Sequence, residues 1–177
     1  APNSIILDAP FVESQGVGLK IWKPENYGKK FYGPSTFRKG IEYSRNLMTV
    51  RIAKILGLNK ILELSEKLDI YDELPELLSV SLGAAETTLL NLTSAYAPFV
   101  NRGKKINPTL ISRIQDRRGK TIFNIKNKEC LGCDKFLSQS EKYPKIIDTN
   151  DRIFSEETAY QMTSILEGAV KRGTAKK

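Results

Sequence analysis

The chain has 177 residues, 40% hydrophobic and 27% charged, with a formal net charge of +8 and no histidine. That length and apolar content fit one folded domain with its own core and exclude a disordered chain. No apolar run approaches the ~18 to 20 residues that a membrane-spanning helix needs. Without histidine, Ser-His-Asp and Cys-His catalysis are excluded and zinc loses its commonest nitrogen ligand, so acyl-transfer chemistry would take lysine or a carboxylate as its base.

Residues 1–34 read as strand and loop, short apolar pieces (Ile5-Ile6-Leu7, Leu19 to Trp22) alternating with Gly and Pro. Ser35 is placed to cap a helix running to Tyr43. A second helix follows Asn46, with Met48, Ile52, Ile55 and Leu56 at helical spacing and Gly57 as its stop. Asn59 is expected to cap a third, with Ile61, Leu62 and Leu68 on one face. Leu77 to Gly83 is looser. Leu89, Leu92, Thr93 and Tyr96 then share the buried face of a strong helix that Pro98 should end or kink.

Residues 109–125 change character, two β-prone runs flanking Asp116-Arg117-Arg118-Gly119 as a β-hairpin. Residues 126–152 are polar and turn-rich and read as a surface loop without strands. Ser155 caps a final helix carrying Glu156 and Glu157 in its first turn, where they suit the helix dipole. Its expected buried stripe is Ala159, Met162, Leu166 and Ala169, and Gly173 ends it. The fold class is therefore α+β, helix-rich, with a hairpin that must rest on the helices or on other sheet.

The cysteines form Cys130-Leu131-Gly132-Cys133. With no second pair and no strand expected before them, neither zinc nor thioredoxin-like redox chemistry is favoured. A short loop staple or two reduced thiols fits better. The chain opens Ala1-Pro2-Asn3 with no initiating Met, which reads as a piece of a longer protein. Its positive charges are scattered, as on solvated faces.

Ser44-Arg45-Asn46 lies between two expected helices, where flanking helices fix the backbone and the tip projects. An S-x-N triplet alone is common, and the plain reading is that Asn46 caps the second helix. Its surroundings say more. Trp22-x-Pro24-x-Asn26-Tyr27 comes first, then Tyr32-Gly33, Ser35-Thr36-Phe37-Arg38, Ser44-x-Asn46, Thr49-Val50-Arg51 and Gly57. Ser79 to Glu86, Thr88, Leu92, Ala95-Tyr96-Ala97, Asn101 and Gly103 follow in order. Asp116-x-x-Gly119, Ser155-x-x-Thr158-Ala159 and Gly173-Thr174-Ala175 come last. Taken in register over almost the whole chain, these resemble the stretch around the second active-site motif of class A penicillin-binding proteins.

The resemblance implies the helix-rich part of a penicillin-binding, serine β-lactamase-like transpeptidase domain over 1–177. Within it, 1–34 would be strand and loop, 35–103 the helical part with S-x-N, 109–125 the hairpin, 126–152 a variable insert and 153–174 a helix. It implies catalytic roles for Ser44 and Asn46, no cofactor and no metal. Its partners would be peptidoglycan stem peptides, β-lactams and the rest of the transpeptidase domain, with no nucleic acid and with self-association of the piece alone. An extracytoplasmic location follows, and there Cys130 and Cys133 would pair with each other. The family also needs S-x-x-K and K-T-G, and the chain contains neither. Ser35-Thr36-Phe37-Arg38 does not substitute, because arginine stays protonated. The missing S-x-x-K also argues against a standalone β-lactamase-like enzyme. A basic, helical nucleic-acid-binding module is the rival from another class. Against it, Lys and Arg are not gathered on one helix face with aromatics between them.

Overall fold

A computed structural model describes residues 1–14, 18, 20–125, 128–131 and 145–176. The chain starts with β1 (Ile5–Asp8), which pairs antiparallel with β2 (Gly33–Thr36), Ile5 opposite Thr36 and Asp8 opposite Gly33. β2 runs straight into α1 (Phe37–Glu42), and α2 (Asn46–Leu56) and α3 (Leu58–Lys67) follow. Thr36, not Ser35, caps α1, its hydroxyl accepting from the Lys39 N–H, because β2 runs to Thr36 and the helix begins only at Phe37. Gly57 ends α2 at φ +85, a backbone conformation that favours glycine, and it leads directly into α3. Asn59 therefore lies inside α3 and does not cap it.

A 3-10 turn at Leu78–Leu82 precedes α4 (Leu89–Val100), capped by Thr88. α4 runs two residues past Pro98, which is buried. The face expected to be buried is not. Leu89 is 81% exposed and Tyr96 52%, and the buried residues are Ala95 and Pro98. Helical spacing identifies an apolar stripe, but small residues let α4 approach its neighbour on the opposite side.

The hairpin is β3 (Arg113–Gln115) and β4 (Thr121–Asn124), with Asp116 Oδ1 accepting from the N–H groups of Arg118 and Lys120 across the turn. The stretch expected as a strandless loop contains an antiparallel pair, β5 (Lys128–Leu131) with β6 (Lys145–Asp148). Strands of four residues leave too short a pattern for periodicity to register, and backbone hydrogen bonds make the ladder whatever the side chains. The pairing of Cys130 with Cys133 lies outside the described residues. Last comes α5 (Glu156–Lys171), capped by Ser155 as expected. Its deepest residues are Ala159, Ile165 and Gly168, with Met162, Leu166 and Ala169 only half-buried beside them.

α2 is the centre of the fold. Leu47, Met48, Val50 and Ala53 are all at most 3% exposed, enclosed by β1, α1 and the 3-10 turn. α5 packs on α1 with one part of its length and on α4 with another. Phe99 of α4 stacks on Phe154 at 5.3 Å, and the Thr163 hydroxyl donates to the Phe99 carbonyl. Among the described residues no helix is long and apolar enough to cross a membrane.

Candidate functional site

The link between α1 and α2 is three residues, Tyr43, Ser44 and Arg45, in a tight reversal. The N–H of Ser44 donates to the Ile41 carbonyl at 3.0 Å and that of Arg45 to the Gly40 carbonyl at 2.8 Å. Closing the chain this sharply puts Ser44 at φ +50, an uncommon conformation for a residue with a Cβ. Ser44 is exposed at the tip, and among the described residues its hydroxyl has no hydrogen-bond partner.

Asn46 is the first residue of α2, with Arg45 at the cap position making no side-chain cap bond. The capping reading of Asn46 therefore fails. Its Nδ2 donates instead to the Glu25 carbonyl at 2.8 Å, away from the helix N-terminus. Its second amide hydrogen and its Oδ1 have no partner among the described residues. A buried N–H in the first turn of α2 is satisfied from outside the helix, since Asn26 Oδ1 accepts from the Leu47 N–H at 3.3 Å.

Asn26 joins this to a buried charge. Its Nδ2 donates to Asp8 Oδ1 at 2.8 Å and to the Lys30 carbonyl at 2.9 Å. Asp8 is fully buried at the end of β1, and its other oxygen pairs with Arg45 Nη1 at 3.2 Å. A carboxylate taken out of water needs both a counter-charge and filled lone pairs. Arg45 and Asn26 supply them. The Arg45 guanidinium also lies over the Tyr32 ring, 3.1 Å from its centre, with Tyr43 at 5.7 Å. Arg51, six residues further on in α2, donates to the carbonyls of Ala9 and Pro10 and holds α2 to the chain after β1.

These contacts shape a pocket of about 610 Å³ lined by Asn26, Tyr27, Tyr32, Ser44, Asn46 and Thr174, among others. Both residues singled out in the sequence, Ser44 and Asn46, are in it. Tyr32, Arg45 and Thr174 stood in the quoted motifs without a role in the site, and Asp8 was not singled out at all. An acidic residue closing the apolar run Ile5-Ile6-Leu7 was the one local sign of Asp8. Behind the pocket, Glu42 bonds Arg172 and raises its guanidinium above an already high value, chiefly through that hydrogen bond. Among the described residues no group of three or more Cys, Asp or Glu side chains could hold a metal. The pocket offers a hydroxyl, a carboxamide with open donor and acceptor, tyrosine rings and one cation. The open hydroxyl and carboxamide suit hydrogen bonding to an amide-bearing molecule, while the cation is held by Asp8.

Known proteins carry the same arrangement of elements. The sequence profile of the penicillin binding protein transpeptidase domain matches residues 1–177. Penicillin-binding protein 1A of Rickettsia conorii is 42% identical over 177 residues, 98% of this chain. The crystal structure of penicillin-binding protein 1A from Haemophilus influenzae superposes with a TM-score of 0.77 at 30% identity, covering all of this chain and 28% of that one. The PonA1 protein of Mycobacterium tuberculosis in complex with penicillin V shares the fold at a TM-score of 0.70 and 14% identity, over 96% of this chain and 42% of that one. The chain spans about a fifth of the Rickettsia relative, 22% of its length. By a profile that matches from end to end and a relative at this identity, the chain belongs to the penicillin-binding protein transpeptidase domain family.

Proposed function

We propose that this chain supplies the second of three catalytic motifs in a class A, type 1A peptidoglycan D,D-transpeptidase. The observation that carries the reading is that the Ser44 hydroxyl and the Asn46 carboxamide line one pocket with unfilled hydrogen-bonding capacity. In the reaction a serine hydroxyl, activated by a lysine outside these residues, attacks the carbonyl of the penultimate D-alanine of a stem peptide. The tetrahedral adduct collapses and the peptide C–N bond breaks. The terminal D-alanine leaves once its nitrogen has taken a proton. An amine on a neighbouring stem then attacks the acyl-enzyme, forming the crosslink and freeing the serine. β-Lactams enter by the first step and stay on the serine.

Ser44 relays the proton to the leaving nitrogen, and the free amide hydrogen of Asn46 goes to the substrate's amide carbonyl. The full-length protein would carry a glycosyltransferase domain and act on the extracytoplasmic face of the inner membrane. No finding favours nucleic acid as a partner.

The test is the second-order rate of acylation by a fluorescent penicillin in a full-length protein carrying this chain, with melting followed in parallel. Ser44→Ala should slow acylation ~10² to 10⁴-fold through lost proton transfer. Asn46→Asp should slow it roughly tenfold to a hundredfold, since a buried contact left unpaired costs about 1 to 3 kcal/mol. Wild-type rates in both variants would overturn the assignment. The 177 residues alone, lacking S-x-x-K, should show no mass increase after the same incubation. An adduct on any of their serines would contradict the missing-motif argument.

A further inference from the structure

We infer that the Glu42–Arg172 ion pair is a positioning latch that sets the Ser44–Asn46 turn against the chain leaving α5 across the pocket. The inference rests on the catalytic reading of Ser44 and Asn46. It starts from an oddity of sequence: α1 ends on a carboxylate, where the helix dipole disfavours one. Glu42 is nevertheless 3% exposed.

What holds it there comes from the far end of the chain. Arg172 Nε donates to Glu42 Oε2 at 2.9 Å and Nη2 donates to Oε1 at 2.5 Å, a two-pronged pairing across 130 residues of sequence. Arg38 adds a longer bond to Oε1 at 3.4 Å and reaches the Ser164 carbonyl on α5 at 3.2 Å. The Glu42 backbone takes part too, since its carbonyl accepts from the Thr174 N–H at 3.1 Å. α5 and its exit are cut away to admit this residue. A Cβ at Gly168 would collide with Glu42 Oε1, and one at Gly173 with the Glu42 carbonyl.

The position of the latch gives it a consequence beyond packing. Two residues after Glu42 comes Ser44, held at φ +50, and two residues after Arg172 comes Thr174, which lines the same pocket. On the other side of Ser44, Arg45 is anchored to buried Asp8 at 3.2 Å. The turn is thus pinned by an ion pair on each flank, one to β1 and one to the α5 exit. Losing one partner of a buried pair destabilises because it strands the other charge, but here Arg172 is half-exposed and Arg38 stays beside the Glu42 carboxylate. A two-pronged pair does fix direction. Removing the α5 pair should therefore leave the pocket's parts present but out of register.

Acylation kinetics in a full-length protein carrying this chain test it. The limiting acylation rate per titrated site is read separately from the penicillin concentration at half-maximal rate. Arg172→Ala should lower the limiting rate about 10- to 100-fold, the scale of a misplacement near 1 Å, with the half-maximal concentration little changed. Methylguanidinium should restore part of the loss where methylammonium at equal ionic strength does not. Arg172→Lys and Glu42→Gln, which nearly keep volume, should show the same slowing and carry the test if the alanine variant does not fold. Wild-type limiting rates per titrated site in these variants, whatever their melting temperatures, would overturn the latch and leave the pair a structural brace. Ser44→Ala, run alongside, separates the two ideas. If it is slow while the Arg172 variants are normal, the latch alone falls. Wild-type rates in Ser44→Ala and Asn46→Asp remove the site reading itself.

Discussion

Two turns in this molecule reverse the chain within a few residues, and they are held in opposite ways. The α1–α2 turn at Ser44 is flanked by Asp8, Asn26 and Glu42, each at most 5% exposed and each bonded to a residue distant in sequence. The β3–β4 hairpin turn is held by its own residues, the Asp116 and Gln115 side chains bonding to turn backbone, and every residue of both strands is exposed. A lone two-stranded ladder is marginal in water. A buried charge, in contrast, tolerates few positions, because leaving it unpaired is expensive. Buried polar contacts are thus spent where geometry has to be exact for chemistry, and local backbone bonds serve where it does not.

The largest expected effect breaks that contrast directly. Leu47→Ala removes a fully buried side chain from the base of the turn and should cost about 2 to 5 kcal/mol. Asp8→Ala strands Arg45 beside an emptied site and should cost about 3 to 5 kcal/mol. Ile122→Ser, at a hairpin residue 65% exposed, should stay within ~0.5 kcal/mol. Urea denaturation of the three variants checks the order. A loss at Ile122 matching that at Leu47 would mean the hairpin is braced as firmly as the turn.

How much of this was legible beforehand follows the same division. Helices showed themselves through spacing and caps, as with Ser155 and Gly57, and the hairpin through its turn residues, because each signal lies within a few positions. Ser44 and Asn46 were found through their neighbours in sequence. The network that fixes them was not, since its links span 18 residues from Asn26 to Asp8, 37 from Arg45 to Asp8 and 130 from Arg172 to Glu42. Nothing local distinguishes an arginine that will meet a carboxylate there from one on a solvated face. The α4 stripe failed for a related reason. Its leucines follow helical spacing, but spacing does not say which side a neighbour will cover.

The exposed side of α4 gives the next, smaller effect. Leu89 is 81% exposed and Val100 77%, with Tyr160 of α5 at 76%. Among the described residues the hairpin is two-stranded, with an open edge on each side that invites pairing with another chain. The 177-residue chain alone should therefore self-associate, its weight-average mass in sedimentation rising with concentration. Leu89→Gln with Val100→Gln should reduce that rise while leaving the melting temperature nearly unchanged. A strictly monomeric wild-type species at the highest concentration would show that these faces are less adhesive than their exposure implies.

The smallest effect sets a part-exposed carboxylate, Asp148, beside the buried Asp8. Asp148 closes β6, where Oδ1 accepts from the Asn150 N–H at 3.0 Å and Oδ2 pairs with Lys104 at 3.1 Å. The Asn150 bond first and Lys104 second hold its carboxyl below the ordinary aspartate value. A carboxyl depressed in the folded state binds its proton more readily when unfolded. It therefore adds stability above the ordinary value, near about 4, and that contribution is lost as pH falls through the lower folded value. Wild type should melt slightly higher than Asp148→Asn at neutral pH, with the gap closing as the pH is taken below about 4. Because the pair is part-exposed, salt should shrink the gap. Asp8→Asn gives the sharper comparison, since its deficit should persist in salt that erases the Asp148 gap. Melting curves across pH at low and high salt decide it. A gap at Asp148 that widens on acidification would reverse the sign of the argument, and equal salt sensitivity at the two sites would erase the distinction between the buried carboxylate that braces the turn and the part-exposed one on β6.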